Sequence, residues 1–453
     1  MELPDYFLAD LPDNSTLTAQ LIGDACQALK QNRDKFLLTR NTDSLIHTFE
    51  ILGRDWLDPD YPFRKIVLSE GPARTGFSHQ TLAAGLDKFF AQISRENIER
   101  LIRQDLGSLR RLDEMVADDI EAKEDRASIA SGYPLVVHFT GGVIPNSVLT
   151  SMIIGLLVRS AQFIKCASGT SFIPRMFAHS LYAIQPKLAA CIEIAEWKGG
   201  NDLLEPPLFL EADCVTATGS DETLDRIFKR LHSRTRYLRY GHKLSFGYVA
   251  RESLARIAVD KAVAAAVEDI VAWNQLGCLS PHVIYVENGG PLSPEGFAEL
   301  LAQGLDAREA LEPRGGVDAQ TSAAIATRRM FYQVRASADE ETRIWSSADS
   351  TAWTVVCEQD PEFQISCLSR FVFVKTVADV PALLVATARV QGQVSTVGLN
   401  APIHRVHEIA TALARWGVSR ICRLGRMQDP PLTWRHDGRP GLADLVAWSD
   451  LEI

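Results

Sequence analysis

One cysteine in a turn offers the most reactive chemistry in this chain. Cys278 sits in the segment Trp273-Asn274-Gln275-Leu276-Gly277-Cys278-Leu279-Ser280-Pro281, between an Ala-rich helical run at 259–272 and an alternating strand at 282–287. A turn held between two rigid elements can present a side chain into a cleft. A thiolate placed there makes a covalent nucleophile. The competing reading is a small apolar residue filling a gap, since cysteines are among the most buried residue types.

Four other segments carry polar groups suited to a ligand. Gly219-Ser220 follows a strand at 214–217 and opens a helix, where backbone N–H groups can bind phosphate. Ser220 is equally an ordinary N-cap, with Thr223 or Leu224 as its bonding partner. Lys165 ends a strand, with Ser168-Gly169 three and four residues later, at the rim where α/β sheets bind ligands. Alone it reads as well as a solvated lysine. Thr140-Gly141-Gly142-Val143-Ile144-Pro145-Asn146 joins a strand to a helix and could offer N–H groups or the Asn146 amide to an oxyanion, or be plain turn chemistry. His436, in Trp434-Arg435-His436-Asp437-Gly438-Arg439-Pro440, could donate protons within a closing segment or lie on an exposed loop. No GxGxxG follows a strand, so the common dinucleotide fingerprint is absent.

The elements that position these residues change character along the chain. Apolar periodicity predicts helices over the first ~120 residues, for example 16–31 and 82–109, interrupted by a turn-rich stretch at 55–77. A charged helix is expected at 110–126. Strands and helices then alternate: strands at 135–139, 163–165, 214–217 and 244–249, with helices at 148–160, 176–194 and 221–232. Short buried strands separated by such helices indicate βαβ units and a parallel sheet. After Cys278 comes a second α/β region, with strands at 282–287, 351–357, 371–375 and 394–399. Its helices are expected at 294–302, 319–335, 380–390 and 403–416. The expected domains are a helical region at 1–125, a cofactor-binding α/β domain at 126–258, a catalytic α/β domain at 259–425 and a C-terminal segment at 426–453.

Bulk properties narrow the classes. With 453 residues, 46% hydrophobic and 23% charged, the chain is globular and large enough for two or three domains. A net charge of −10 favours neither nucleic acid nor an anionic membrane surface. Eight cysteines without a CxxC pair argue against a disulfide framework and a structural zinc site, and no metal is expected. Met1-Glu2-Leu3-Pro4-Asp5 lacks the features of a signal peptide, and the longest apolar stretch, 148–158, is half a membrane span. A reducing cytoplasm is the expected location.

The order and spacing of several segments resemble the acyl-CoA reductase family typified by LuxC, the fatty-acid reductase of bacterial bioluminescence, within the aldehyde dehydrogenase superfamily. They are Trp56-Leu57-Asp58-Pro59-Asp60-Tyr61-Pro62, Thr75-Gly76-Phe77-Ser78, Thr218-Gly219-Ser220-Asp221-Glu222-Thr223 and Tyr240-Gly241-His242-Lys243, with the cysteine segment and His436-Asp437-Gly438-Arg439. The likeness covers nearly the whole chain. It implies an aldehyde-dehydrogenase-like α/β fold, with a parallel-sheet cofactor domain, an α/β catalytic domain and a helical N-terminal region.

The resemblance also implies that Cys278 accepts the acyl group, that Asn274 stands just ahead of it, and that Lys165 and Gly219-Ser220 hold a nicotinamide cofactor. In the expected mechanism the Cys278 backbone N–H and the Asn274 side chain stabilise the oxyanion. The superfamily's Lys-x-x-Glu aligns with Lys165-Cys166-Ala167-Ser168. Serine at 168 removes the carboxylate that would repel a 2′-phosphate, which favours NADPH. The superfamily's water-activating glutamate aligns with Arg239, so an acyl-cysteine should resist hydrolysis and wait for hydride or a thiol. The implied activity is NADPH-dependent reduction of a fatty acyl-CoA, or an acyl-carrier thioester, to the aldehyde with release of CoA. A homo-oligomer and an acyl-donating partner enzyme are the expected associates. Aldehyde oxidation, and an acyltransferase or thioesterase using the same cysteine, are the rival readings.

Overall fold

The computed structural model describes residues 3–12 and 14–453. Met1 and Glu2, part of the segment read above for a signal peptide, lie outside the described residues, as does Asp13. The chain divides into two compact units. The first holds the chain up to Thr75, Leu86–Gly241 and Pro431–Ile453; the second holds Gly76–Gly85 and His242–Pro430.

In the first unit, strands β1 (Arg126–Gly132), β2 (Leu135–Phe139), β3 (Ala161–Cys166), β4 (Ile192–Glu196), β5 (Cys214–Thr218) and β6 (Arg236–Tyr240) appear in chain order. Five of them form a parallel sheet ordered β4-β3-β2-β5-β6. Its central strands are buried on both faces, as parallel strands covered by helices must be. The chain runs outward from β2 in both directions, so the loops after β2 and β5 diverge at a topological switch point.

In the second unit lie β7 (Leu244–Val249), β8 (Pro281–Glu287), β9 (Thr342–Ser346), β10 (Thr354–Glu358), β11 (Phe371–Val377), β12 (Val394–Asn400) and β13 (Arg420–Arg423). They form one sheet ordered β13-β12-β7-β8-β11-β10-β9, in which only β9 pairs antiparallel. Strand 244–249, which sequence order groups with the first sheet, belongs here. A final strand, β14 (Val446–Glu452), pairs antiparallel with β1 in the first unit.

Several local expectations change for identifiable reasons. The 82–109 run is two helices, His79–Phe90 and Arg95–Leu106, because Ser94 caps the second by accepting from Asn97 N at 3.3 Å. The turn-rich 55–77 stretch contains a helix, Pro62–Thr75, that opens on a proline and so needs no N–H at its first position. The charged helix at 110–126 is absent. Asp113 there leaves the helical ladder to accept from Thr42 N at 3.0 Å and to pair with the buried Arg159, and only single 3₁₀ turns form. The 176–194 run ends early, at Ile184, because Pro186 interrupts it; a short helix, Pro186–Ala189, then leads into β4. Among the described residues no helix is long and apolar enough to cross a membrane, and no group of three or more metal-ligating side chains occurs.

Candidate active site

Cys278 occupies the turn that enters β8, and Ser280 N donates to Gly277 O at 2.9 Å across it. Among the eight cysteines it is the exposed one. Burial raises the pKa of each of the other seven: Cys26, Cys166, Cys191, Cys214 and Cys357 to about 12, Cys422 to about 11, and Cys367 in the same direction. Those seven stay protonated thiols near neutrality, which makes them poor nucleophiles.

The approach to Cys278 is unusual backbone. The helix Val259–Val271 ends, and Trp273, Asn274 and Gln275 come next with φ of 50°, 52° and 63°. Three consecutive non-glycine residues in the left-handed region are strained and need neighbours that hold them there. Asn274 Nδ2 donates to Arg314 O at 2.7 Å, while its Oδ1 accepts from Arg370 Nε and Nη2 at 3.2 and 3.0 Å. Arg370 is 1% exposed and closes a second left-handed triplet, Leu368, Ser369 and Arg370, with φ of 60°, 55° and 65°. Gln275 Nε2 ties the two triplets together, donating to Phe371 O at 2.8 Å and to Pro281 O at 2.7 Å. The second bond spans the cysteine turn from end to end. Ser245 Oγ donates to Cys278 O at 2.7 Å, and Gln428 Nε2 to Ser280 Oγ at 2.5 Å. Both atoms of the Asn274 amide are engaged in this brace. Trp273 packs edge-on against Phe77, with ring centroids 5.2 Å apart, so Phe77 of the quoted Thr-Gly-Phe-Ser motif abuts the cysteine segment.

His282, four residues past the cysteine, is buried, which lowers its pKa to about 4 and keeps it neutral. Its Nδ1 accepts from Ser366 N at 3.1 Å, leaving the proton on Nε2.

The remaining candidates lie in the first unit, at the carboxyl edge of the five-stranded sheet. At the switch point, a Cβ on Gly141 would come within 2.6 Å of Thr218 O, so only glycine lets the β2 loop lie against the β5 loop. Asn146 opens the helix Asn146–Leu157 after this loop and is half-buried. Gly219 N donates to Tyr240 O at 3.2 Å; Ser220 Oγ accepts from Thr223 N at 3.3 Å, so the hydroxyl caps its helix. One strand over, Lys165 is 4% exposed, its Nζ lies 5.8 Å from the Trp197 ring centroid, and it makes no hydrogen bond among the described residues. Burial lowers its pKa, while Glu205 and Glu196 oppose that shift. An ammonium largely withdrawn from water, with no hydrogen-bonded acceptor among the described residues, is stabilised by a ligand that supplies one. These residues therefore fit an anionic or hydroxyl-bearing cofactor. Ser168 is exposed on the loop beyond β3.

The first unit also brings together two of the quoted motifs. His436 stacks on Tyr240, with centroids 4.7 Å apart and planes 15° apart, and lies 4.6 Å from the Trp434 ring. The Arg439 guanidinium stands 5.8 Å from the Tyr240 centroid. Arg239 points to a surface pair with Asp225 at 3.1 Å.

Two α/β units, one with a polar carboxyl edge at a switch point and the other with a braced, exposed cysteine, make up an aldehyde-dehydrogenase-like fold. Solved structures agree. Glyceraldehyde-3-phosphate dehydrogenase GapN from Methanocaldococcus jannaschii, complexed with NADP, superposes with a TM-score of 0.68 at 10% identity, covering 96% of this chain and 95% of that one. A NAD-dependent benzaldehyde dehydrogenase from Corynebacterium glutamicum gives 0.70 at 13% identity over 97% and 90%. The chain belongs to the acyl-CoA reductase (LuxC) family, whose profile matches residues 38–448. Among its relatives, the long-chain acyl-protein thioester reductase of Aliivibrio fischeri is 24% identical over 413 residues, 90% of this chain and 81% of that protein. The reductase of the same name from Vibrio harveyi is 22% identical over 91% and 83%.

Proposed function

We propose that this protein reduces a fatty acyl thioester to the aldehyde, using NADPH and an acyl-Cys278 intermediate. The observation that carries the reading is Cys278 itself, the exposed cysteine of eight, held in a turn braced from four sides. The Cys278 thiolate attacks the thioester carbonyl, the tetrahedral adduct collapses, and the donor thiol leaves with a proton. The chemistry the nicotinamide cofactor supplies when bound is hydride. Cys278 then departs as thiolate from the reduced adduct and the aldehyde is free. Oxyanion charge falls to the Cys278 main-chain N–H, with Asn146 as a further donor. Lys165, Gly219 and Ser220 hold the cofactor, and Ser168 leaves room for a 2′-phosphate. His436, beside the Tyr240 and Trp434 rings, is the candidate proton donor in this reading.

Arg239 stands where the superfamily's water-activating glutamate aligns, and a guanidinium cannot serve as a base at neutral pH. The acyl-enzyme is therefore expected to persist until hydride or a thiol arrives. The relatives' name, acyl-protein thioester reductase, supports a protein-carried donor beside acyl-CoA, and with it an acyl-donating partner enzyme. Intact-mass measurement after mixing with acyl-CoA alone tests the proposal. One added acyl group is expected, removed by hydroxylamine, reversed by free CoA and absent in Cys278→Ala. Rapid release of fatty acid would point instead to a thioesterase. Acyl transfer without NADPH oxidation would point to an acyltransferase.

A further inference from the structure

Forming the Cys278 thiolate requires a base. A cysteine thiol is mostly protonated at neutral pH. The helix Val259–Val271 also ends just ahead of the cysteine turn, and the dipole at a helix carboxyl end disfavours negative charge. His282, the histidine nearest in sequence, cannot serve, because it is buried in β8 and its Nδ1 already accepts from Ser366 N. His404 and His407 stand in the first turns of the helix Ile403–Trp416, which follows the carboxyl end of β12. The cysteine turn lies at the amino end of β8, and β12, β7 and β8 run parallel, so those two histidines are at the opposite edge of the sheet.

His242 is placed differently. In the pairing of β7 with β8, Ser245 is opposite Pro281. His242 precedes Ser245 by three residues and Cys278 precedes Pro281 by three, so the two head adjacent approaches at the same level. The bond from Ser245 Oγ to Cys278 O holds these approaches together beyond the end of the ladder. Neighbouring strands lie about 4.8 Å apart, a gap that an imidazole can bridge. Leu244 N donates to Gln393 O at 2.9 Å and Lys243 Nζ to Gly392 O at 3.0 Å, which fixes the two residues after His242. His242 and Cys278 are both exposed. His282 gives a second sign of the ring's position: burial is the larger cause of its low pKa, and the charge on His242 is the other.

We propose that His242 is the general base for acylation, taking the proton from Cys278 Sγ as the sulfur attacks the thioester carbonyl. The proposal rests on the acyl-Cys278 reading above and names the group that activates the nucleophile. The S–H bond breaks to give the imidazolium, a C–S bond forms at Sγ, and the donor's C–S bond breaks when the tetrahedral adduct collapses. The departing thiolate takes up one proton and the exposed His242 loses one to water, so the half-reaction balances without any change of oxidation state.

Single-turnover acylation by acyl-CoA without any cofactor tests it on the full chain, with the acyl adduct followed by intact mass. His242→Ala should slow acylation about 100-fold or more, the range of a general base. The acyl-CoA concentration that gives half the maximal rate should stay within about twofold, because the base acts in the transition state. Imidazole added to the buffer should restore part of the rate in His242→Ala, rising with its concentration, and should leave the wild type unchanged. His242→Gln, which keeps hydrogen-bonding groups but no base, should be as slow as His242→Ala. Both variants should keep the wild-type circular dichroism spectrum, since the side chain is exposed. Acylation at the wild-type rate in either variant overturns the assignment, and so does a slow His242→Ala that imidazole does not speed up. In both of those cases an adduct that Cys278→Ala removes leaves the acyl-cysteine reading standing. If the wild type forms no adduct on Cys278, both fall.

Discussion

Arg370→Met perturbs the brace behind Cys278 at its centre. The guanidinium makes two bonds to Asn274 Oδ1, one to Glu309 Oε2 at 2.7 Å and one to Glu312 O at 2.9 Å. Burial pulls its pKa down to about 10, against the attraction of Glu309 and Glu312, so it remains a cation at neutral pH. Methionine fills much of the stem's space but strips these acceptors of their donor. Removing one partner of a buried pair costs about 3–5 kcal/mol. Asn274→Ala breaks the same link from the other side, orphans Arg314 O, and leaves alanine in a left-handed conformation that costs about 1–2 kcal/mol by itself. The Arg370–Asn274 contact is lost only once in the double variant. Its destabilisation should therefore fall short of the sum of the singles by about 1.5–3 kcal/mol, the worth of a charge-assisted bond. Urea unfolding followed by circular dichroism gives the stabilities, and single-turnover acylation of Cys278 gives the functional effect. Each single variant should slow acylation roughly 100-fold, as expected for a nucleophile displaced by about 1 Å, and the double should slow it little further. Additivity of the stabilities to within about 0.5 kcal/mol, or acylation at the wild-type rate in Arg370→Met, would refute the brace.

Iodoacetamide at about pH 8 should label the native protein once, at Cys278, because burial holds the other seven thiols protonated; peptide mapping that finds a second fast site would contradict this. Lys165→Ala should raise KM for NADPH roughly 10- to 100-fold, from a lost contact of about 1.5–3 kcal/mol, and leave KM for acyl-CoA alone. Equal effects on both substrates would make Lys165 structural. Ser168→Glu should move the NADPH-to-NADH ratio of kcat/KM towards NADH, and an unchanged ratio would remove Ser168 from the 2′ position.

The cysteine turn is legible in the sequence because its cause is local: a long helical run, a mostly apolar strand, and a short Gly-containing link between them; the strand expected to alternate is buried along its whole length. The brace that holds the turn is not. Gln275 and Phe371 are 96 residues apart, as are Asn274 and Arg370. No residue type marks Trp273, Asn274 and Gln275 as left-handed, since glycine, the usual sign of such backbone, is absent there. The competing reading of Ser220 as a helix cap describes its side chain correctly, and this does not remove Gly219-Ser220 from the cofactor edge: the cap takes up Thr223 N, while the position of the loop comes from the β5 ladder.

Trp197 escapes sequence reasoning for a different reason. Apolar residues lie at helical spacing on both sides of Gln185-Pro186-Lys187, so 176–194 reads as one helix and the loop Trp197-Lys198-Gly199-Gly200 loses its position at a strand end. Pro186 is the available signal, because a proline there ends the helical ladder and separates 192–196 from the helix before it. Placed correctly, that strand puts an indole, a lysine and two glycines beside Lys165. A lysine that reads alone as a solvated strand end then has a mostly buried side chain, with Nζ 5.8 Å from the Trp197 ring centroid. Short parallel strands are decided by their neighbours in the sheet rather than by their own residues, so the pieces of a ligand site at the edge of such a sheet stay separate in the sequence until the strand order is known.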